Sequence, residues 1–327
     1  ICSLTMKQAP FFYCCFGCDR CVVCYPAACM IDNQGDMMTG PRPSPTWQCV
    51  MICWGDRYGA EEINHPAKHI QRTAGSPPRF VLMTDRDRPD LMPEFDQVAF
   101  PKFFLKDEFK GPGCQAKLGM FQKGVLPADL PAIYVDLDTA ILGDLTKAFD
   151  FQPVETTIQM LQSAVLPFGS LARLIYRVTS KQKYARGNSS VVVFHPAHCH
   201  FVAEKFQALY EEYGGLGIRP MVADERFISW VAQSRMRALP KSFAVKFPTE
   251  FMLPSRFLCY LKSSLPWVRR RRERLVAITF CGLSNKPETL IELKEDEELV
   301  DNKNRILIWN DRILGELRRR LIKYYSA

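Results

Sequence analysis

The chain has 327 residues, of which 47% are hydrophobic and 24% charged, and it carries a net charge of +8. These are the proportions of an ordinary globular chain, long enough for one large domain or two small ones. No apolar run reaches the length of a membrane-spanning helix. The basic clusters also lack the aromatic platform or recognised module of a nucleic-acid binder, so nucleic acid is not an expected partner.

Residues 1–47 differ from the rest. Seven of the 13 cysteines lie in the first 29 residues, and Pro41-Arg-Pro-Ser-Pro45 reads as an extended linker. Cys15-x-x-Cys18-x-x-Cys21-x-x-Cys24 invites an iron–sulfur or zinc reading. Its last gap is shorter than in the bacterial ferredoxin run, and the proline comes late. The segment is expected to be a poorly ordered Cys/Pro-rich extension, with a metal or iron–sulfur protein as a weaker alternative.

From Gln48 the pattern alternates between strand and helix. Cys49–Cys53 reads as a buried strand, Ala60–Thr73 as a helix with Ile63, Ala67 and Ile70 on one face, and Arg79–Thr84 as the next strand. That βαβ order predicts a parallel sheet with helices on its faces and a ligand beyond the carboxyl ends of its strands. Trp54-Gly55 and Thr84-Asp85 stand at such ends, where Trp54 and Tyr58 could flank a base or ribose. His65 and His69, at i and i+4 without an acidic companion, read as a solvated helix face. Pro89–Gly113 reads as loop with one short strand near Val98–Phe100, and Cys114–Phe121 as a helix carrying Lys117.

Ala132-Ile-Tyr-Val-Asp136-Leu-Asp138-Thr-Ala-Ile-Leu142 is the most informative stretch. A buried strand ends on two carboxylates that share a face if the chain stays extended. Two such groups repel and resist desolvation unless a cation neutralises them. A hard divalent ion with oxygen ligands, Mn²⁺ or Mg²⁺, meets that need and keeps positions open for substrate phosphates.

Beyond it, Thr156–Leu161 and Leu171–Val178 have strand-like composition, Ser190–Phe194 reads as a strand, and a helix is expected from Pro196 to about Tyr213. His195, His198, Cys199 and His200 fit helix capping rather than a zinc spacing. Asp224-Glu225 opens a helix with Phe227, Ile228 and Val231 inward, and Leu275–Phe280 is the last strand. Arg269–Arg274 and Arg318–Arg320 with Lys323 are basic clusters, and Ile306–Tyr325 reads as an amphipathic segment with a solvated face. Clustered cations of this kind suit an anionic membrane surface or an acidic glycan.

Six segments together resemble one family. Tyr134-Val-Asp136-Leu-Asp138-Thr-Ala-Ile-Leu-Gly143 is similar to the DxD segment of GT-A glycosyltransferases, in particular the family 8-like bacterial nucleotide-sugar enzymes. Trp54-Gly55-Asp-Arg-Tyr58, Phe80–Asp85, Ala116-Lys117-Leu118 with Phe121, Asn188–Phe194 and Ala223-Asp224-Glu225 resemble further family segments in the family's order, across about residues 48 to 290. The resemblance implies an α/β GT-A fold: a mixed, mostly parallel sheet flanked by helices, between the extension and a charged C-terminal helical segment at 291–327. It implies a metal-dependent hexosyltransferase, retaining in the family's manner of reaction, that acts from a nucleotide-diphosphate sugar, a UDP-sugar above all, on a glycan, lipid or protein acceptor. Asp136 and Asp138 would hold the metal, with Trp54, Gly55, Tyr58, Thr84, Asp85, Lys117 and Lys286 around the donor. Asn188 and Asp224 would face the sugar and acceptor; Thr279 or Cys281 stands where the family has a metal-binding histidine. A non-catalytic nucleotide-sugar or partner-binding protein is the alternative, and a cytoplasmic protein peripheral to the membrane is the expected setting.

Overall fold

The computed structural model describes residues 44–151, 153, 157–162, 166–280 and 290–326. The four-cysteine run, Cys281 and Lys286 lie outside the described residues. The strands are β1 (Trp47–Cys53), β2 (Pro78–Thr84), β3 (Phe95–Ala99), β4 (Ala132–Val135), β5 (Thr139–Ile141) and β6 (Ile158–Gln162). They continue with β7 (Gly187–Phe194), β8 (Met236–Leu239), β9 (Ala244–Lys246), β10 (Ala277–Thr279), β11 (Glu298–Val300) and β12 (Ile306–Ile308). The helices up to the last strands of the second sheet are α1 (Ala60–Thr73), α2 (Ser170–Val178), α3 (Phe201–Tyr213), α4 (Asp224–Val231), α5 (Phe247–Phe251), α6 (Arg256–Ser264) and α7 (Pro266–Glu273).

Seven strands form the main sheet in the order β3-β2-β1-β4-β7-β6-β8. Every residue of β1 is buried, as a strand covered by apolar layers on both faces must be. Its alternation divides the core in two. Trp47, Cys49, Met51 and Cys53 face the layer built on Ile63, Ala67 and Ile70 of α1. Val50 and Ile52 face the layer of Phe104, Phe206 and Phe227. Strands β1 to β4 pair in parallel, and β7 runs antiparallel to both β4 and β6. The chain therefore steps from β1 outward to β2 and β3, then returns to place β4 on the other flank of β1. That reversal leaves a crevice beyond the carboxyl ends of β1 and β4, where ligands of open α/β sheets bind. A smaller sheet, β5-β10-β9, continues directly from the end of β4.

Several expectations need correction. Leu171–Val178 is helix α2 rather than strand. Its apolar residues 171, 174, 175 and 178 recur at helical spacing, which outweighs their strand-like composition. Strand β1 starts at Trp47, whose buried ring belongs to the core rather than to the extension. The amphipathic segment from 290 onward docks its apolar side on the domain. It forms the β11–β12 hairpin and then helices Asp311–Leu314 and Glu316–Tyr325, and Leu307, Trp309, Leu317, Leu321 and Tyr324 enter the core. His65 and His69, expected in solvent, lie against Tyr324, with ring centroids 4.6 and 4.2 Å away. Burial lowers the affinity of both imidazoles for a proton. Among the described residues no helix is long and apolar enough to cross a membrane.

The arginine run of α7 is divided by its own helical period. Val268 and Arg272 point inward, four residues apart, while Trp267, Arg270 and Arg274 lie on the exposed side. Arg272 Nε donates to Glu250 Oε1 at 2.8 Å, and its Nη atoms donate to Ser263 Oγ, Ile313 O and Glu250 O. One buried guanidinium thus ties α5, α6 and the C-terminal helices together. Removing one partner of such a pair leaves an uncompensated charge. Arg272→Met is expected to cost about 3 kcal/mol in urea unfolding. Arg270→Ser should stay within about 0.5 kcal/mol of the parent. Equal losses from the two would show that the run acts as one surface cluster.

Candidate active site

Strand β4 ends in a tight turn rather than continuing extended. Asp136 N–H donates to Ser190 O (2.8 Å), Thr139 N–H donates to Asp136 O (3.0 Å), and Phe280 N–H donates to Asp138 O (3.1 Å). The two aspartates therefore meet through the turn, not through shared strand parity, which corrects the sequence argument while keeping its residues. Both line a cavity of about 570 Å³ with Trp54, Arg57, Tyr58 and Lys117.

Lys117 sits on a short, fully buried 3₁₀ turn, Gln115–Phe121. Its Nζ donates to Asp136 Oδ1 at 2.5 Å and lies 3.9 Å from Asp224 Oδ2. The Tyr134 hydroxyl donates to the same Asp136 oxygen. Burial opposes the ammonium, but Asp136, then Tyr134 and Asp224, hold it protonated well above the usual lysine range. Asp138 has no such partner. Its Oδ1 is enclosed without a hydrogen bond, and burial, reinforced by Asp136, pushes its pKa to about 7.

Asp224 opens α4 and is buried. Ser189 Oγ donates to its Oδ2 (2.6 Å), and its own N–H donates to Gly113 O (2.8 Å). Burial raises its pKa to about 6, against the pull of Lys117. A Cβ on Gly113 would stand 2.3 Å from Val222 O, so only glycine permits this approach. The next residue, Cys114, is left-handed at φ +50° and borders the cavity. Beside Asp224, Asn188 Nδ2 donates to Glu225 Oε2 at 3.0 Å.

The aromatic rim is held from behind. Gly55, at φ +64°, turns the chain after β1, and its N–H donates to Asp85 Oδ2 (3.1 Å). Arg88 donates to Gly55 O (2.7 Å), Tyr58 O (3.1 Å) and Thr84 Oγ1 (2.9 Å). Thr84 and Asp85 thus meet the site through the Trp54–Tyr58 loop. Arg88 and Arg57 escaped the sequence reading. Arg88 belongs to the charged run Asp85-Arg-Asp-Arg88, which follows a strand end, and Arg57 lies inside the Trp54–Tyr58 segment, where no role was read for it.

A metal fits this chemistry. Asp136 and Asp138 line the cavity together, and the unpartnered Asp138 Oδ1 can serve as a ligand. Among the described residues no group of three or more His, Cys, Asp and Glu side chains could hold an ion alone. Diphosphate oxygens and water would have to complete the shell. Thr279, one of the two positions where the resemblance implies a histidine, is buried with its Oγ1 unpartnered and pairs with Thr139 across β10 and β5.

Comparison with solved structures shows the fold. The galactosyltransferase LgtC, solved in complex with donor and acceptor sugar analogs, superposes at a TM-score of 0.52 with 12% identity, over 85% of this chain and 95% of that one. Apo GlyE from Streptococcus pneumoniae gives 0.51 at 15% identity, over 86% and 61% of the two chains. The bifunctional glycosyltransferase WbbM gives 0.50 at 14%, over 88% and 52%. The chain thus has the GT-A architecture expected from its sequence. No protein-family model matches it, and no curated protein matches its sequence.

The shift of Asp138 has a definite sign. Its folded pKa, about 7 against an ordinary 3.8, favours the protonated form, so its contribution to stability is complete below about pH 4 and lost as pH rises through 7. In metal-free protein Asp138→Asn should therefore stabilise by up to about 4 kcal/mol at pH 8 and by almost nothing at pH 4. Urea unfolding in chelator at the two pH values measures this. A difference independent of pH would mean that the carboxylate is not held protonated.

Proposed function

We propose that the protein is a metal-dependent glycosyltransferase that moves a hexose from a UDP-sugar to a glycan, lipid or protein acceptor, with anomeric configuration retained as the resemblance implies. The observation that carries this reading is the pair of carboxylates that line the crevice together: Asp136 is engaged by Lys117 and Tyr134, whereas Asp138 keeps an enclosed oxygen, Oδ1, without a hydrogen bond. Asp136 and Asp138 would hold Mn²⁺ or Mg²⁺, which supplies Lewis-acid stabilisation of the departing diphosphate. Trp54 and Tyr58 offer faces for the base and ribose, on a loop whose shape Gly55, Thr84, Asp85 and Arg88 maintain. Lys117 is fixed by Asp136 at the cavity wall, where it can share diphosphate charge. The resemblance assigns the same task to Lys286. Asp224 faces Lys117 at 3.9 Å, and Asn188, hydrogen-bonded to Glu225, would face the sugar and acceptor as the resemblance implies.

Titration of UDP against the protein with and without Mn²⁺ tests the reading. Binding should require the ion, and Asp138→Asn should weaken the metal-dependent part at least about tenfold, the usual scale for losing a charged ligand contact. Affinity for UDP that ignores both metal and substitution would sink the proposal. The absence of a third His, Cys, Asp or Glu ligand among the described residues favours one second reading, a nucleotide-sugar binder without transfer. Metal-dependent UDP binding with no sugar released from any donor in a panel would select it.

The acceptor side of the proposal includes an anionic membrane surface. Phe257, Leu258 and Leu261 of α6 are exposed on one helical face, and Trp267 of α7 is 66% exposed beside Arg270 and Arg274. Aromatic anchors among cations suit a headgroup layer, where each cation gains about 1 kcal/mol. Arg270→Ser with Arg274→Ser should weaken binding to phosphatidylserine vesicles about tenfold at low salt. Unchanged vesicle binding removes the membrane from the proposal and leaves the donor chemistry untouched.

A further inference from the structure

A second cavity, of about 390 Å³, opens beside the Asn188–Glu225 pair. Its walls carry four cations, Lys241, Lys246, Lys262 and Arg271, against two carboxylates, Glu225 and Glu250. The two acids are already engaged. Glu225 accepts from Asn188. Glu250 faces Lys262 at 3.4 Å as well as Arg271 and the buried Arg272. Lys241 and Lys246 have no hydrogen bond or ion pair among the described residues, and Arg271 Nε is enclosed without an acceptor. An excess of cationic donors with no protein acceptor, gathered in a concave site, is the chemistry of an anion site.

Its position is set by the small sheet. Lys246 ends β9 directly opposite Thr279 of β10, which stands opposite Thr139 of β5, the residue after Asp138. Two strand spacings put the Lys246 and Thr139 backbones about 10 Å apart. Asn188 also precedes Ser189, which holds Asp224. The two cavities are therefore neighbours, with Asn188 and Glu225 on the wall of the basic one.

We infer that the basic cavity is an acceptor subsite for a saccharide bearing a phosphate or carboxylate group, held by Lys241, Lys246 and Arg271. The inference rests on the donor reading of the Asp136–Asp138 cavity, which fixes where transfer occurs. Inorganic phosphate shares the recognised chemistry, so the test separates it from the sugar-borne group.

The test uses the full chain and calorimetry with four probes: glucose 6-phosphate, glucuronate, methyl glucoside and inorganic phosphate. Each is titrated with the donor cavity filled by UDP and Mn²⁺, and again without them. One of the two anionic sugars should bind at least about tenfold more tightly than methyl glucoside and than inorganic phosphate, and weaken as salt rises. Lys241→Ser with Lys246→Ser should lower that affinity about tenfold or more, and Lys246→Arg with Lys241→Arg should restore it. UDP affinity should not move, and neither should the unfolding midpoint, because these two side chains make no bonds. Equal binding of the neutral sugar, equal binding of inorganic phosphate, or affinity unaffected by the serine substitutions would overturn the subsite. If UDP does not bind but lysine-dependent binding of an anionic sugar persists, the donor reading fails and the subsite stands. If UDP binds and no anionic sugar does, the subsite alone fails.

Discussion

The buried pair of Lys117 with Asp136 is the constraint around which the crevice is arranged. An ammonium placed on a buried 3₁₀ turn must find a carboxylate, and it finds one at 2.5 Å with a second at 3.9 Å. Such pairs seldom stabilise a fold relative to apolar replacements, because desolvation offsets the attraction. Their retention is better understood through what they leave over. Asp136 is satisfied twice, by Lys117 and by Tyr134, whereas Asp138 has an oxygen with no partner. The arrangement fixes one carboxylate and exposes the other to whatever cation enters.

The sheet explains why this happens where it does. With β2 and β4 on opposite flanks of β1, the loops after β1 and β4 diverge and open the crevice between them. Trp54–Tyr58 forms one lip and the Asp136–Thr139 turn the floor. The small sheet then carries the chain from that turn to Thr279 and Lys246. One topological decision, the return of β4, thus positions both the Asp136–Asp138 cavity and its basic neighbour.

Much of this was legible in the residues and some could not be. Helix α1 announced itself through Ile63, Ala67 and Ile70, and the buried strands through unbroken apolar runs, because both signals are local. The Asp136–Asp138 pair was recognisable as costly chemistry whatever the backbone did. The turn that joins them was not, since its hydrogen bonds come from Ser190 and Phe280, far along the chain. Non-local cover also hid the fate of His65 and His69, which Tyr324 buries from the other end of the sequence. Arg272 looked like one of a solvated run. Only the phase of α7 against Glu250 and Ile313 singles it out.

The two cavities together suggest an order of events governed by charge. Burial, reinforced by Asp136, raises the pKa of Asp138 to about 7. In the proposed reading, proton and divalent ion compete for its oxygen, and the ion gains as pH rises. An anionic acceptor is repelled by carboxylates that are ionised and uncompensated, and attracted by Lys241 and Lys246 next door. In the proposed reading the cation and the diphosphate largely neutralise each other, so the donor adds little net charge beside the acceptor. The basic cavity then holds the acceptor's charge at a fixed remove, with Asn188 and Glu225 between the two groups that must be kept apart until a neutral hydroxyl, not an anion, meets the donor.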